Sequence, residues 1–136
     1  MDERGILEKS RIIAVVGLSD KPDRPSYDVA SYLMDHGYTV IPVNPNIKEW
    51  RGIKAYGSLR EIPKSQRSKI DVVDIFRKSE DVPPIVEEAI ALGLKVNAIW
   101  MQLGIVNDDA AKRASEAGMP VIMDRCMKIE HMKLVH

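Results

Sequence analysis

The stretch Arg11-Ile12-Ile13-Ala14-Val15-Val16-Gly17-Leu18-Ser19, continued by Asp20-Lys21-Pro22-Asp23-Arg24-Pro25-Ser26-Tyr27, decides the fold class of this chain. The apolar run from Ile12 to Val16 is typical of a buried strand, and it ends at a glycine. A polar loop then leads to Ser26, a residue type that caps helix N-termini. A strand, a glycine loop and a helix in this order predict the phosphate-binding corner of a nucleotide-binding α/β domain.

The same loop departs from the dinucleotide-binding fingerprint. Ser19 and Pro22 stand where that fingerprint requires glycines. The second predicted strand ends at Asn44-Pro45, whereas NAD enzymes keep an acidic residue there to bind the adenosine ribose. We therefore expect a nucleotide-like ligand other than NAD, with an atypical NAD(P)-binding protein as an alternative.

The composition is that of an ordinary globular protein. The chain has 136 residues, of which 45% are hydrophobic and 29% charged, and this length fits a single domain over residues 1–136. A formal net charge of zero disfavours nucleic-acid binding through phosphate neutralisation. The single cysteine, the polar N-terminus and the lack of a long apolar run predict a soluble, cytoplasmic protein with no membrane partner.

Five apolar runs predict buried strands, at Ile12–Val16, Tyr38–Val43, Ile70–Phe76, Lys95–Trp100 and Pro120–Met123. Apolar residues at helical spacing predict helices at Tyr27–His36, at Val82–Leu92, after a cap at Asn107, and at Cys126–Leu134. Residues Ile47–Lys69 are irregular and predict a short edge strand and one helical turn. Pro42 lies inside the second strand, and we interpret it as a strand end or a bulge.

Strands that alternate with helices predict an α/β fold with a doubly wound parallel sheet of about five strands. We expect a Rossmann-like arrangement with strand order 3-2-1-4-5 and helices on both faces. In such a sheet the ligand binds outside the carboxyl ends of the strands, near the switch between strands one and four. The loops after Val16, Val43, Ile75 and Trp100 are therefore expected to form the site.

The first of these loops carries residue types that bind phosphate. Gly17 lets the backbone approach a ligand closely, and Ser19 offers a hydroxyl group. The guanidinium of Arg24 can hold a phosphate in two places, and the helix starting at Ser26 adds its first amide groups. The alternative interpretation is a solvated turn from Lys21 to Pro25.

Two other loops carry aromatic and amide side chains. Phe76 could stack on an adenine while Arg77 meets a phosphate, or the ring could close the core. Trp100, Met101 and Gln102 suit an uncharged part of a ligand, although core packing explains Trp100 equally well.

Patterns typical of catalysis are weak in this sequence. His36, His131 and His136 lie at a helix end and near the C-terminus, and their spacing fits no zinc motif. Cys126 follows Asp124-Arg125, where a neighbouring cation favours a thiolate, but a small buried residue at a helix start is the plainer interpretation. We predict a binding protein without catalytic or metal-ligating residues. The alternative is an enzyme that uses Cys126 in thiol or thioester chemistry.

Several segments in order resemble the small stand-alone CoA-binding domain proteins, whose domain is similar to the N-terminal CoA-binding domain of the succinyl-CoA synthetase alpha subunit. The resemblance runs from about Arg11 to Leu134. The matching segments are Val15–Ser19, Arg24–Tyr27, Val40–Pro45, Phe76-Arg77, Trp100–Gly104 and Met123–Cys126.

The resemblance implies that coenzyme A binds across the four strand-end loops. It places the phosphates at Gly17, Ser19 and Arg24, and the cofactor-binding set includes Leu18 and Tyr27 from the same segments. The remaining implied contacts are the nucleotide border at Asn44 and Pro45, the adenosine end at Phe76 and Arg77, and the pantetheine arm at Trp100, Met101 and Gln102.

The ligase activity of the synthetase does not follow from this resemblance, because no histidine of this chain aligns with the phosphohistidine of the enzyme. We expect a non-catalytic carrier or sensor of CoA or an acyl-CoA. The last helix has an apolar stripe between Met127 and Leu134, which packs either on its own sheet or on a homodimer or other protein partner.

Overall fold

A parallel sheet of five strands forms the centre of the computed structural model, which describes residues 2–135. In chain order the strands are β1 (Ile12–Val16), β2 (Thr39–Val43), β3 (Glu49–Trp50), β4 (Ile53–Lys54), β5 (Val72–Ile75), β6 (Ala98–Met101) and β7 (Val121–Ile122). The α-helices are α1 (Glu3–Lys9), α2 (Pro25–Asp35), α3 (Lys64–Arg67), α4 (Val82–Ala91), α5 (Asp108–Glu116) and α6 (Met127–Leu134). Strands β3 and β4 pair only with each other, as an antiparallel hairpin.

Helices cover both faces of the parallel sheet. Successive strand residues point to opposite faces, so the apolar runs of the sequence divide into two cores. Ile13 and Val15 of β1 face the helices α1, α2 and α6, whereas Ala14 and Val16 face α4 and α5. The predicted α/β class, with a parallel sheet and helices on both faces, is confirmed.

The predicted strand order 3-2-1-4-5 is wrong. The observed order is β2-β1-β5-β6-β7, so the third of the five predicted strands lies beside the first, and β2 is at the edge. Val16 of β1 pairs with Val43 of β2 on one side and with Ile75 of β5 on the other. The switch in strand order therefore lies between β1 and β5, rather than between the first and fourth predicted strands.

Pro42 explains why β2 is an edge strand. It pairs in register with Val15, so the expected strand end or bulge at this residue is wrong. Its carbonyl accepts a hydrogen bond from the amide of Tyr56 at 3.0 Å, which shows that Pro42 turns its backbone away from β1. A proline nitrogen cannot donate a hydrogen bond to a neighbouring strand. Because the nitrogen of Pro42 faces the outer side of the edge strand, no hydrogen bond of the five-stranded sheet is lost.

Local signals account for most helix ends. The side chain of Asn107 accepts from the amide of Ala110 at 2.9 Å, which confirms the predicted cap of α5. The predicted cap at Ser26 is wrong, because α2 begins at Pro25 and Ser26 lies in its first turn. Helix α1 was not predicted. It is capped by Asp2, and it buries Ile6 and Leu7 against the sheet.

The irregular region after β2 and the final helix also differ in detail from expectation. Between β2 and β5 the chain forms the β3–β4 hairpin, a 3₁₀ turn at Leu59–Glu61 and the short helix α3. In α6, Met127 is buried against the sheet, whereas Ile129 and Met132 are exposed, so the expected apolar stripe is divided between two faces. Within residues 2–135, no helix is both long and apolar enough to cross a membrane.

Candidate functional site

The loops that follow β1 and β5 meet at Gly17, where the backbone of Gly17 lies against the backbone of Phe76. The amide of Gly17 donates to the carbonyl of Val43 at 2.8 Å, and its φ is 88°. A Cβ built at this position would lie well inside 3.0 Å of the carbonyl oxygen of Phe76, which no real side chain tolerates. Glycine is therefore required here both by its positive φ and by the backbone beside it.

The loop after β1 surrounds a basic cavity of about 380 Å³, which we call the glycine-loop cavity. Its lining residues are Gly17, Ser19, Lys21, Arg24, Pro25, Ser26 and Phe76. Two of them are cations and none of these described residues is acidic. The cavity also faces the first turn of α2, where helix amides have no intrahelical acceptor. Such a site suits a phosphate group.

Hydrogen bonds hold this loop in shape and leave the hydroxyl proton of Ser19 free. The hydroxyl oxygen of Ser26 accepts from the amide of Ser19 at 2.9 Å. The hydroxyl oxygen of Ser19 accepts in turn from the amide of Lys21 at 3.1 Å, so the hydroxyl proton of Ser19 is available to a ligand oxygen. Ser26, expected to cap the helix, thus orders the loop instead.

A second cavity, of about 410 Å³, lies on the α2 and α6 side of the sheet edge; we call it the Gln102 cavity. Its lining is mostly apolar and consists of Pro25, Val29, Phe76, Arg77, Gln102, Leu103, Ile105 and Cys126. Arg77 is the only cation in that set. Leu103 is 65% exposed and extends the apolar surface outward. This cavity suits an uncharged, flexible ligand segment.

A third cavity, of about 270 Å³, lies between the end of β2 and helix α4; we call it the Pro45 cavity. It is lined by Val16, Val43, Pro45, Gly57, Ser58, Leu59, Arg77, Asp81, Pro84, Ile85 and Glu88. Arg77 lies 3.9 Å from the carboxylate of Asp81, and Glu88 accepts from the amide of Leu59 at 3.1 Å. Two carboxylates disfavour a phosphate in this cavity and leave it suited to a neutral ring.

The three cavities adjoin through the segment that follows β5. Phe76 lines both the glycine-loop cavity and the Gln102 cavity, and Arg77 lines both the Gln102 cavity and the Pro45 cavity. The apolar Gln102 cavity therefore adjoins both of the others, with the basic glycine-loop cavity on one side and the mixed Pro45 cavity on the other.

A buried carboxyl group lies beneath the Gln102 cavity. Asp74 in β5 is completely buried, and its Oδ1 accepts a hydrogen bond from Nε2 of Gln102 at 2.7 Å. Burial raises the pKa of Asp74 to about 7, even though the hydrogen bond from Gln102 acts in the opposite direction. Asp74 therefore changes its protonation state near neutral pH.

Three of the predicted site residues have side chains in the core. Leu18, Trp100 and Met101 are each completely buried. The indole Nε1 of Trp100 donates to the carbonyl of Arg125 at 2.9 Å, which ties the end of β6 to the start of α6. Any contact of these residues with a ligand would use their main chain, so their side chains support the site from behind.

Tyr27 and Asn44 also have packing and bonding partners within the protein. The ring of Tyr27 packs edge-on against Trp50, with ring centroids 5.5 Å apart. The side-chain amide of Asn44 donates to the carbonyl of Leu18 at 3.0 Å, and its oxygen accepts from the amide of Asn46. Asn44 thus links the loops that follow β1 and β2.

Two residues at or beneath the cavities, Lys21 and Asp74, are not among the predicted site residues. Lys21 lines the glycine-loop cavity, although its position in a proline-rich segment is also typical of a solvated turn. Asp74 had a clear signal, because a carboxylate in the middle of a strand of valines and isoleucine is rarely tolerated without a reason. Cys126, considered for thiol chemistry, lies in the Gln102 cavity.

Two histidines lie at the opposite edge of the sheet. His36 and His131 line a cavity there, together with Tyr38 and Arg11. Nδ1 of His131 is 2.8 Å from the hydroxyl of Tyr32, and burial together with the neighbouring His36 lowers the pKa of His131. Neither imidazole lines the three cavities at the carboxyl edge.

Comparison with known families gives one clear match. The family model described as "CoA binding domain" matches residues 11–132, which is most of the chain. The matched range includes every residue that lines the three cavities.

Similar proteins and structures agree with this match. The uncharacterized protein YneT of Bacillus subtilis is 47% identical over 126 residues, covering 93% of this chain and 89% of that protein. The alpha subunit of ADP-forming acetate–CoA ligase II of Pyrococcus furiosus is 30% identical over 128 residues, but the match covers only 27% of that subunit. The solved structure of a hypothetical protein from Pyrococcus horikoshii superposes with a TM-score of 0.90 at 43% identity, covering 99% of this chain and 91% of that one.

Proposed function

The chain belongs to the CoA-binding domain family, as its sequence segments predicted, and from this premise we propose that it binds coenzyme A or an acyl-CoA. The observation that carries the proposal is that three adjoining cavities at the carboxyl ends of the strands differ in chemical character. A CoA molecule has a neutral adenine ring, strongly anionic phosphates, one of which is on the ribose, and a long uncharged pantetheine arm. The Pro45, glycine-loop and Gln102 cavities offer surfaces of the corresponding character.

The phosphates are the part of CoA that the glycine-loop cavity would hold. Lys21 and Arg24 supply positive charge, and Ser19 supplies a free hydroxyl proton. Arg24 is exposed and is the N-cap residue of α2, but its side chain makes no capping hydrogen bond. Its guanidinium is therefore free to turn toward an anion.

The pantetheine arm would lie in the Gln102 cavity, where apolar side chains dominate. Phe76 separates this cavity from the phosphate region and would contact the arm as it enters. The adenine ring would lie in the Pro45 cavity, between Pro45 and helix α4. This assignment keeps the predicted cofactor-binding set but gives supporting positions to Leu18, Tyr27, Asn44, Trp100 and Met101.

We further propose that the domain acts as a non-catalytic carrier or sensor of CoA. Among residues 2–135, the three cavities contain no histidine, and no nucleophile–histidine pair lies at their walls. The chain spans about a quarter of the ligase subunit that it matches, and the similarity is therefore to part of that subunit.

Isothermal titration of ligand-free protein tests the binding proposal. CoA and acetyl-CoA should bind one per chain, and NAD should give no heat. Arg24→Ala should weaken CoA binding by about 10- to 100-fold, because a hydrogen bond to a charged group contributes about 1.5–3 kcal/mol. Arg4→Ala is the matched control, since Arg4 lies on α1 and pairs with Glu8. If no CoA species gives heat, the proposal is wrong.

A second candidate function rests on Cys126, which lines the Gln102 cavity. In this version the Cys126 thiolate attacks the thioester carbonyl of an acyl-CoA, the bond from carbonyl carbon to CoA sulfur breaks, and CoA leaves as its thiolate while the acyl group stays on Cys126. Intact mass measurement after incubation with acetyl-CoA would show one added acetyl group. The adduct must be absent in Cys126→Ser, and its absence in the unmodified chain would leave the non-catalytic proposal.

A further inference from the structure

Asp74 is buried in a way that the binding of a cofactor does not by itself explain. It lies in the central strand β5, in register with Val15 of β1 and Trp100 of β6, and it is completely buried. One carboxyl oxygen accepts from Gln102, and within residues 2–135 the other oxygen, Oδ2, has no partner.

Such a group destabilises the fold. A buried polar atom without a partner costs free energy, and a buried charge with one hydrogen bond costs more. An apolar or amide side chain at this position would be easier to accommodate. A titratable group that is retained at such a cost, one hydrogen bond away from a ligand cavity, is a candidate for a functional role.

Gln102 connects this carboxyl group to the cavity. Its Nε2 donates to Asp74, and its side chain lines the Gln102 cavity. Its other polar atom, Oε1, accepts no hydrogen bond from any described residue, so it is available to a ligand. An ionised carboxylate can only accept, which forces the amide nitrogen toward Asp74 and the oxygen toward the cavity.

Protonation of Asp74 removes this constraint, because the group can then donate as well as accept. A carboxylic acid has an O–H to donate, and its best partner is the carbonyl oxygen of Gln102. When that oxygen turns toward Asp74, the amide nitrogen of Gln102 faces the cavity and becomes a donor there. The same two side chains can thus present either an acceptor or a donor to a ligand.

We propose that the protonation state of Asp74 sets the orientation of the Gln102 amide and so selects between free CoA and acyl-CoA. Ionised Asp74 leaves an acceptor that suits the S–H of free CoA. Protonated Asp74 leaves a donor that suits the carbonyl oxygen of a thioester. This inference rests on the proposed function, in which the thiol end of the cofactor occupies the Gln102 cavity. Asp74 is a positioning residue, because it acts through Gln102.

Several titratable groups around Asp74 have partners of their own. Its neighbours in register on β1 and β6 are uncharged. On α2, α6 and the loops beside them, the groups form the pairs Asp28–Lys128, Arg125–Glu130, Tyr32–His131 and Arg77–Asp81. Cys126 lines the same cavity, and Lys21 and Arg24, which form no ion pair with any described residue, line the adjoining glycine-loop cavity. A Cys126→Ser variant that keeps the pH dependence would assign the effect to Asp74.

The test is the ratio of the dissociation constants of acetyl-CoA and CoA, measured across neutral pH. Titration of the CoA phosphates affects both ligands alike and cancels in the ratio. In the unmodified chain, the preference for acetyl-CoA over CoA should rise about tenfold from about pH 8 to about pH 6, which corresponds to the exchange of one hydrogen bond. In Asp74→Asn the ratio should be independent of pH. Asp71→Asn, which alters a carboxylate at the opposite end of β5, should keep the dependence.

A second readout does not depend on the ligand or on any variant. The side-chain ¹⁵N resonance of Gln102 in ligand-free protein should shift with an apparent midpoint near neutrality. If neither CoA nor acetyl-CoA binds, the proposed function is wrong. If both bind and their ratio is independent of pH, or if the Gln102 resonance does not titrate, the inference is overturned while the proposed function stands.

Discussion

Replacement of Gly17 by alanine perturbs the junction on which the whole site depends. The backbone φ of 88° costs an L-residue about 1–2 kcal/mol. The new methyl group would also lie well inside 3.0 Å of the Phe76 carbonyl oxygen, which is backbone and must move by several tenths of an ångström. Overpacking of this kind costs about 1–3 kcal/mol. We expect Gly17→Ala to lose about 2–5 kcal/mol of unfolding free energy.

Gly37→Ala separates the two contributions. Gly37 has nearly the same φ, 93°, but nothing lies within 4 Å of its missing Cβ. This control should therefore lose only the backbone contribution, about 1–2 kcal/mol. Urea unfolding measures both losses directly. Equal losses of unfolding free energy in the two variants would refute the close approach of Gly17, after β1, to Phe76, after β5.

The same pair of variants reports on ligand binding. Movement of Phe76 displaces a residue that lines both the glycine-loop cavity and the Gln102 cavity. We expect this displacement to lower CoA affinity about tenfold in Gly17→Ala, which corresponds to about 1.4 kcal/mol of binding free energy. Gly37→Ala, at the far end of α2, should bind CoA as the unmodified chain does.

Three further predictions concern stability. Trp100→Phe should lose about 1–3 kcal/mol, since it leaves the Arg125 carbonyl without its donor, while CoA affinity measured by titration stays within about twofold. The native pKa of Asp74 is raised above the ordinary value of 3.8 to about 7, so the native state binds this proton more tightly and stability falls as pH rises between those values. The difference in unfolding free energy between Asp74→Asn and the unmodified chain should therefore change by about 2–3 kcal/mol in favour of the variant from about pH 5 to about pH 8. The variant's urea midpoint would contradict this if it differed from that of the unmodified chain by the same amount at both pH values. Asn107→Ala should lose about 1 kcal/mol in the same assay, and no loss would show that the cap is unimportant.

The fold class could be predicted because each strand is a nearly continuous apolar run between helical segments. Burial on both faces of a parallel sheet removes the polar alternation and leaves a signal that is hard to mistake. The strand order could not be obtained in this way, since β1 accepts either β5 or another strand as its neighbour with no change in hydrophobic pattern. The one usable clue was Pro42, which belongs on an edge strand.

The site could be predicted at the level of loops but not of individual side chains. Gly17, Ser19, Arg24, Phe76, Arg77 and Gln102 all border the cavities, as the strand-end rule implies. Trp100 and Met101 follow the same rule, yet their side chains point into the two cores, because successive residues of a strand alternate between faces. Spacing along the chain could not show which of the three consecutive residues Trp100, Met101 and Gln102 faces the cavity.

The central claim is that CoA binds at the carboxyl edge of the sheet, and an NMR titration of ¹⁵N-labelled, ligand-free protein tests it most directly. The account predicts that CoA shifts the amide resonances of Gly17, Arg24, Phe76 and Gln102, while those of Tyr38 and His131 at the opposite edge stay in place. Shifts confined to the opposite edge, or no shifts at saturating CoA, would contradict it.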